Sequence, residues 1–145
     1  MAISIKKVTL WRTEVQNKPG ALSGVLAPLA EARADLQVVM GYHYHGAEGR
    51  AVIEVCPISG KKSTAAASQA GLAASTIPAL LVQGNNKPGL GSAIAQAIAD
   101  EGINVAFLVA QVIDKRFSAV MGFEDEAASE CAAKLIKKAV KKAKK

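Results

Sequence analysis

The chain has little sulfur, few aromatic residues and no long apolar run. Its two cysteines, Cys56 and Cys131, form no Cys-x-x-Cys pair and fall at non-equivalent places. Nothing there resembles a Cys-x-x-Cys metal site, and both read as reduced, core-type thiols in preference to a disulfide. Aromatics make up 4% of the chain while half of it is apolar, so the core must be filled by Ala, Val, Leu and Ile. No apolar stretch approaches the ~20 residues that span a bilayer, and Met1 to Lys7 has no apolar core of signal-peptide length. No membrane partner is expected, and a cytoplasmic location is the default. Catalytic signatures are also missing: there is no Ser/His/Asp or Cys/His set and no P-loop. Glu124-Asp125-Glu126 reads as an acidic helix start, and Asp35 and Glu54 have no evident partners. The sequence therefore reads as non-enzymatic, with no cofactor expected.

Net charge is +6, yet seven lysines lie in the final twelve residues, and without them the body is at −1. The basicity belongs to a C-terminal tail, 139–145, and to the helix before it. There Leu135, Ile136 and Val140 interleave with lysines as in the last turns of a surface helix, where cations complement the helix dipole. No nucleic-acid partner is expected.

What is present is a repeat. Asn17-Lys18-Pro19-Gly20 returns as Asn86-Lys87-Pro88-Gly89, an offset of 69 residues. At the same offset Val25 falls on Ile94, Leu29 on Ile98, Glu31 on Asp100 and Asp35 on Asn104. The chain is thus two copies of one unit, 1–69 and 70–138. Each copy is near the lower size limit for a self-sufficient core.

Within each copy a strand (Val8 to Val15; Ile77 to Gly84) runs into the Asn-Lys-Pro-Gly turn, and a helical pattern follows (Leu22, Val25, Leu26, Leu29; Ile94, Ala97, Ile98). Pro19 and Pro88 suit a first helical turn. Gly102 provides a left-handed stop for the second helix, whereas Arg33 at the matching place requires the first to turn by other means. Hairpins follow, Leu36 to Tyr44 with Arg50 to Val55, and Val105 to Ile113 with Phe117 to Phe123, turning at Gly46 to Gly49 and Asp114 to Arg116. Helices over Lys61 to Gly71 and Glu126 to Val140 close the copies.

Strand, helix, strand, strand, helix lacks one strand of a split β-α-β unit. The repeat extends back to the start of the chain, making Ala2 to Lys7 the counterpart of Gly71 to Thr76. We expect Leu72 to Thr76 to finish the first copy and Ala2 to Lys6 to finish the second. Edge strands would be exchanged about a pseudo-two-fold axis and so hidden from aggregation. The fold class is α+β: two ferredoxin-like βαββαβ repeats packed side by side.

These residues resemble the ACT domain, a ferredoxin-like module that binds amino acids and related metabolites. The resemblance rests on the apolar strand, the Asn-Lys-Pro-Gly turn, the helix of small and apolar residues, and Gly102-Ile103-Asn104-Val105 leading into the next strand. Copy one departs with Arg33-Ala34-Asp35-Leu36, and both copies have Asn where many members have Asp. It implies a ligand lodged between modules, held by Asn86, Lys87, Pro88, Gly89, Leu90 and Gly91, and in copy one by Asn17, Lys18, Pro19, Gly20, Ala21 and Leu22. Asn104 and Asp35 are the second-strand candidates, and copy two keeps the fuller signature.

The chemistry of the turn suits that role. A helix start offers unpaired N–H groups at the positive end of its dipole, and a glycine there lets a carboxylate approach the backbone. Asn17 and Asn86 serve either as caps or as partners of an amino acid.

His43 and His45 lie on one strand face with Cys56 in the partner strand, a candidate metal set. The competing expectation is a partly exposed polar face with no metal. The sequence points to a stand-alone regulatory or sensory protein, a homo-oligomer, dimeric by expectation, whose partner is a small amino-acid-like molecule. The alternatives are a structural or protein-interaction module without ligand, and a metal-responsive regulator using His43 and His45.

Overall fold

The computed structural model describes residues 3–43 and 49–143. In chain order the elements are β1 (Ser4–Val8), β2 (Trp11–Gln16), α1 (Ala21–Glu31), β3 (Val38–His43), β4 (Arg50–Cys56), α2 (Lys61–Gln69), β5 (Ala73–Ala74), β6 (Ala79–Asn85), α3 (Leu90–Asp100), β7 (Val105–Ile113), β8 (Arg116–Phe123) and α4 (Glu126–Ala143). Ala2, Tyr44, His45, most of the expected Gly46 to Gly49 turn, and Lys144 and Lys145 lie outside the described residues. None of the described helices is long and apolar enough to cross a membrane.

The chain is α+β and forms two compact units, one of residues 9–76 and one of the residues up to 8 and from 77 onward. Each holds a four-stranded antiparallel sheet, in the orders β3-β4-β2-β5 and β1-β6-β8-β7. β1 pairs with β6, Ser4 opposite Gln83 and Val8 opposite Ala79. The N-terminal strand therefore completes the sheet of the second repeat, as the 69-residue offset implies. Its counterpart β5 pairs with β2, Trp11 opposite Ala74, and the Ser75 amide donates to the Leu10 carbonyl at 2.7 Å.

This pairing moves the boundaries of the units to 8/9 and 76/77, away from the repeat boundary at 69/70. It also divides the expected strand from Val8 to Val15. Val8 ends β1 and Trp11 begins β2, because the two segments are hydrogen-bonded in different sheets.

Three helices stop in the same way. Arg33, Gly71 and Gly102 have φ of 59°, 84° and 71°. The amide after each reaches back five residues: Ala34 to the Leu29 carbonyl, Leu72 to Ala67, Ile103 to Ile98. These are Schellman caps. The first helix thus uses the same left-handed stop as the others, with Arg33 in the glycine position. α4 starts on Asp125, whose Oδ1 accepts from the Ala128 amide at 2.7 Å, the N-cap that an acidic helix start implies.

The expected tail 139–145 is not separate from α4, which continues through Ala143. Ala139 and Val140 belong to its buried stripe with Ser129, Ala132 and Ile136. The interleaved lysines, Lys134, Lys137, Lys138, Lys141 and Lys142, are the exposed face of that helix.

In the unit of β1 and residues from 77 onward, the core lies between the sheet and α3 with α4. Leu80 and Val82 of β6 meet Ile98, Phe123 and Ile136 there. Leu81 and Val120, on the opposite sheet face, are buried too, so apolar residues occur on both alternations of β6. In residues 9–76 a smaller core joins Val25, Leu29, Ile53, Val55, Ala66, Ala67 and Leu72.

β7 and β8 form a hairpin whose turn is Asp114-Lys115, since Arg116 is already paired with Ile113. The expected turn to Arg116 is one residue too long. A bulge at Ala106 breaks the ladder, with Val105 opposite Phe123 and Phe107 opposite Gly122. One extra residue reverses the alternation. Beyond it Leu108, Ala110 and Val112 stand opposite Met121, Ala119 and Phe117, residues of the helix-side core.

Candidate functional site

Both Lys-Pro-Gly segments are type II turns. The Leu90 amide donates to the Lys87 carbonyl at 3.1 Å, and the Ala21 amide to Lys18 at 3.2 Å. Gly89 and Gly20, at φ 86° and 89°, fill the position where this turn needs a left-handed residue. These glycines are the N-caps, so Pro88 and Pro19 stand before the helix and not in its first turn. No side chain caps either helix. Asn86 and Asn17 are therefore not caps, and their side chains stand outside the helix start.

Their backbone amides tie the turns to the neighbouring hairpins, Asn86 to the Lys115 carbonyl at 2.7 Å and Asn17 to Gly49 at 2.8 Å. The first helical hydrogen bond runs from the Ala93 amide to the Gly89 carbonyl at 3.0 Å. The amides of Gly91 and Ser92 between them have no acceptor in the helix.

Beside this helix start lies a cavity of about 580 Å³. Its wall on the α3 side is formed by Leu90, Ile94, Ala95 and Ile98, and on the strand side by Leu108, Ala110, Val112, Phe117 and Met121. It exists because α3 packs on α4 and leaves the outer strand uncovered. Leu108 and Val112 are 54% and 51% exposed although they share the core face. Among the described residues Asn86, Asn104 and Gln111 are the polar side chains in the lining, and no charged residue contributes.

Four residues expected at the site, Asn86, Leu90, Gly91 and Asn104, line this cavity. They do not all meet. Asn86 is beside the hairpin turn, whereas Asn104 precedes Val105 at the other end of β7, opposite Phe123. The eleven residues of α3, about 16 Å at 1.5 Å each, separate the two. Asn104 instead donates to Glu124 at 3.4 Å. Lys87, Pro88 and Gly89 lie outside the lining, and the Lys87 ammonium donates to the Ala143 carbonyl at the end of α4, where a cation complements the helix dipole.

In copy one Asn17, Lys18, Pro19, Gly20 and Asp35 are exposed and Ala21 is half-buried. Ala21 stands where copy two has Leu90, which is 5% exposed, and Leu22 is 46% exposed.

The candidate metal set is broken by the strand register. His43 is opposite Ala51 and Cys56 opposite Val38, five positions apart, or about 17 Å along a strand. Burial also pushes the Cys56 thiol up, away from the thiolate that binds metals. Among the described residues no three His, Cys, Asp or Glu side chains gather as a metal site. Glu54, without an evident partner in the sequence, is buried and accepts from the Tyr42 hydroxyl at 3.0 Å.

Sequence reasoning missed Leu108, Ala110, Val112, Phe117 and Met121. The available signal was the uncharged run Val105 to Ile113, apolar on both alternations. Its assignment to faces depends on the Ala106 bulge.

No protein-family model matches the sequence, and no curated protein matches it. Solved structures do resemble it in fold. A protein from Bacteroides thetaiotaomicron superposes with a TM-score of 0.73 at 14% identity, covering 92% of this chain and 89% of that one. The regulatory subunit of aspartate kinase from Thermus thermophilus, in a ligand-free form, gives 0.63 at 15% identity, covering 94% and 95%. A structure of aspartokinase alpha and beta subunits gives 0.63 at 18% identity, covering 97% and 98%. With two four-stranded sheets, four helices and the exchanged β1 and β5 among the described residues, the fold is that of tandem ACT repeats.

Proposed function

We propose that this chain is a non-catalytic regulatory protein that binds a small amino-acid-like ligand at the Asn86 to Gly91 turn and acts as a homodimer. The observation that carries the reading is the type II turn, which sets the open amides at the start of α3 beside a cavity. A carboxylate is suited to the Gly91 and Ser92 amides at the positive end of the helix. The Asn86 side chain offers both a donor and an acceptor to an amino group and a carboxylate. The likeness in fold to a regulatory subunit of aspartate kinase supports the regulatory role.

Self-association is supported by β7. It is an edge strand of nine residues without a charge, and Val109 and Ile113 are 50% and 64% exposed on the face away from the cavity. Unprotected edges of this kind invite pairing with another strand. The opposite edge β1 carries Lys6 and Lys7, and β5 has two residues. β7 is also a wall of the cavity, so occupancy and association share one strand. Coupling follows if the ligand has different affinities for the free and associated states.

Sedimentation velocity and calorimetry with the twenty amino acids test this reading. The expected result is a dimer, heat on addition of at least one amino acid, and weaker binding after Asn86→Ala. A monomer that takes up none of them points to a structural module without ligand and overturns it.

A further inference from the structure

The walls of the cavity narrow the ligand class. We infer that the site takes an α-amino acid with a bulky apolar side chain, branched or aromatic, and rejects acidic, basic and small polar ones. This rests on the proposed ligand-binding role of the same turn. Between Asn86 and Asn104 the walls are Leu90, Ile94, Ile98, Leu108, Val112 and Met121, with no side chain that could neutralise a charge. A charged ligand side chain would lose water there and meet no opposite charge, and a hydroxylated one would find only Gln111 between the two ends among the described residues.

Polarity is concentrated where a backbone carboxylate would sit. The Asp114 to Arg116 segment, which the Asn86 amide ties to the start of α3, carries two cations against one carboxylate, all outside the cavity lining. Lys115 is joined to Asn86 through its carbonyl, and Arg116 donates to Asn85 at 3.3 Å. At the far end Asn104 is engaged by the Glu124 carboxylate, which is itself outside the lining. The open amides of Gly91 and Ser92 direct an anionic head to the Asn86 end, and the uncharged walls along α3 take an apolar body. A volume of about 580 Å³ leaves room for side chains as large as those of leucine or phenylalanine.

The test is calorimetry on the full chain with leucine, isoleucine and phenylalanine against aspartate, lysine, serine and glycine, repeated on Ala95→Phe. Ala95 is exposed on α3 and lines the cavity, so the new ring occupies the cavity without entering the packed core. Ala110→Phe, on the strand wall, is the second variant should the first fail to fold. The expected result is binding of the three apolar amino acids alone, weakened at least about tenfold by filling the cavity. Binding of the polar set at equal or greater strength overturns the ligand class and leaves the regulatory reading standing. Apolar binding that survives both variants removes the cavity from the assignment. No binding by any of the seven, where the amino acid that binds is charged or polar, sinks this inference alone; no binding by any amino acid sinks both.

Discussion

The ring of Phe107 lies across Gly122, in the space that a β-carbon on Gly122 would fill. The two residues are opposite each other where the ladder resumes after the Ala106 bulge. A glycine is required there because the ring covers the bare backbone of the neighbouring strand, a device that also pins register. Gly122→Ala forces the ring to move, and overpacking of this kind costs about 1–3 kcal/mol. Urea denaturation should show that loss as a lower midpoint at unchanged slope. A change under about 0.5 kcal/mol, the range of an ordinary surface substitution, would mean that the ring swings aside freely and does not pin the bulge.

Arg33 and Gly102 occupy the same position in repeated caps but differ in fitness for it. A left-handed backbone costs a residue with a β-carbon about 1–2 kcal/mol, and glycine escapes this at the expense of more entropy in the unfolded chain. No atom lies within 4 Å of a β-carbon built on Gly102, so the conformation alone sets the effect. Gly102→Ala should destabilise by about 1 kcal/mol, and Arg33→Gly should leave the melting temperature unchanged or raise it. Equal losses in both variants would show that the Arg33 side chain, not its backbone, holds the first cap.

Tyr42 supplies a pH dependence. Burial, then the neighbouring Glu54 carboxylate, push its phenol above the ordinary value of 10.0, with Arg12 acting weakly the other way. A proton held more tightly in the folded state stabilises it below the unfolded pKa, and this contribution is lost as pH rises through the higher folded value. Phenolate absorbance during an alkaline titration should show one of the two tyrosines ionising late, and Tyr42→Phe should abolish that late component. A single transition at the ordinary value in the native protein would contradict the Tyr42 to Glu54 hydrogen bond.

Much of the fold was legible because its signals are local. The doubled Asn-Lys-Pro-Gly marks two type II turns by proline and glycine alone, and Gly102 marks a helix stop because only glycine takes positive φ without strain. The buried stripe of α4 through Ile136 and Val140 is visible in the spacing. The missing strand was legible from the offset, since an unpaired sheet edge in each copy had to be completed from the segment preceding the other copy.

The site was legible in part. Asn86, Leu90, Gly91 and Asn104 line one cavity, but the signature could not show that α3 keeps Asn86 and Asn104 apart, nor that Lys87 is drawn to the end of α4. Those depend on the path of helices through space. His43 and Cys56 looked like neighbours in one hairpin until the register separated them.

By itself the sequence determined the duplication, and also the two Lys-Pro-Gly turns and the Gly102 stop, which depend on the conformational limits of a few adjacent residues. The tertiary structure decided that Arg33 takes a glycine conformation, that the register sets His43 and Cys56 apart, and that the Ala106 bulge turns Leu108, Ala110 and Val112 toward the cavity. Packing and cross-strand hydrogen bonds outweigh a local preference of about 1 kcal/mol, and pairing between distant segments is invisible to any short window of residues.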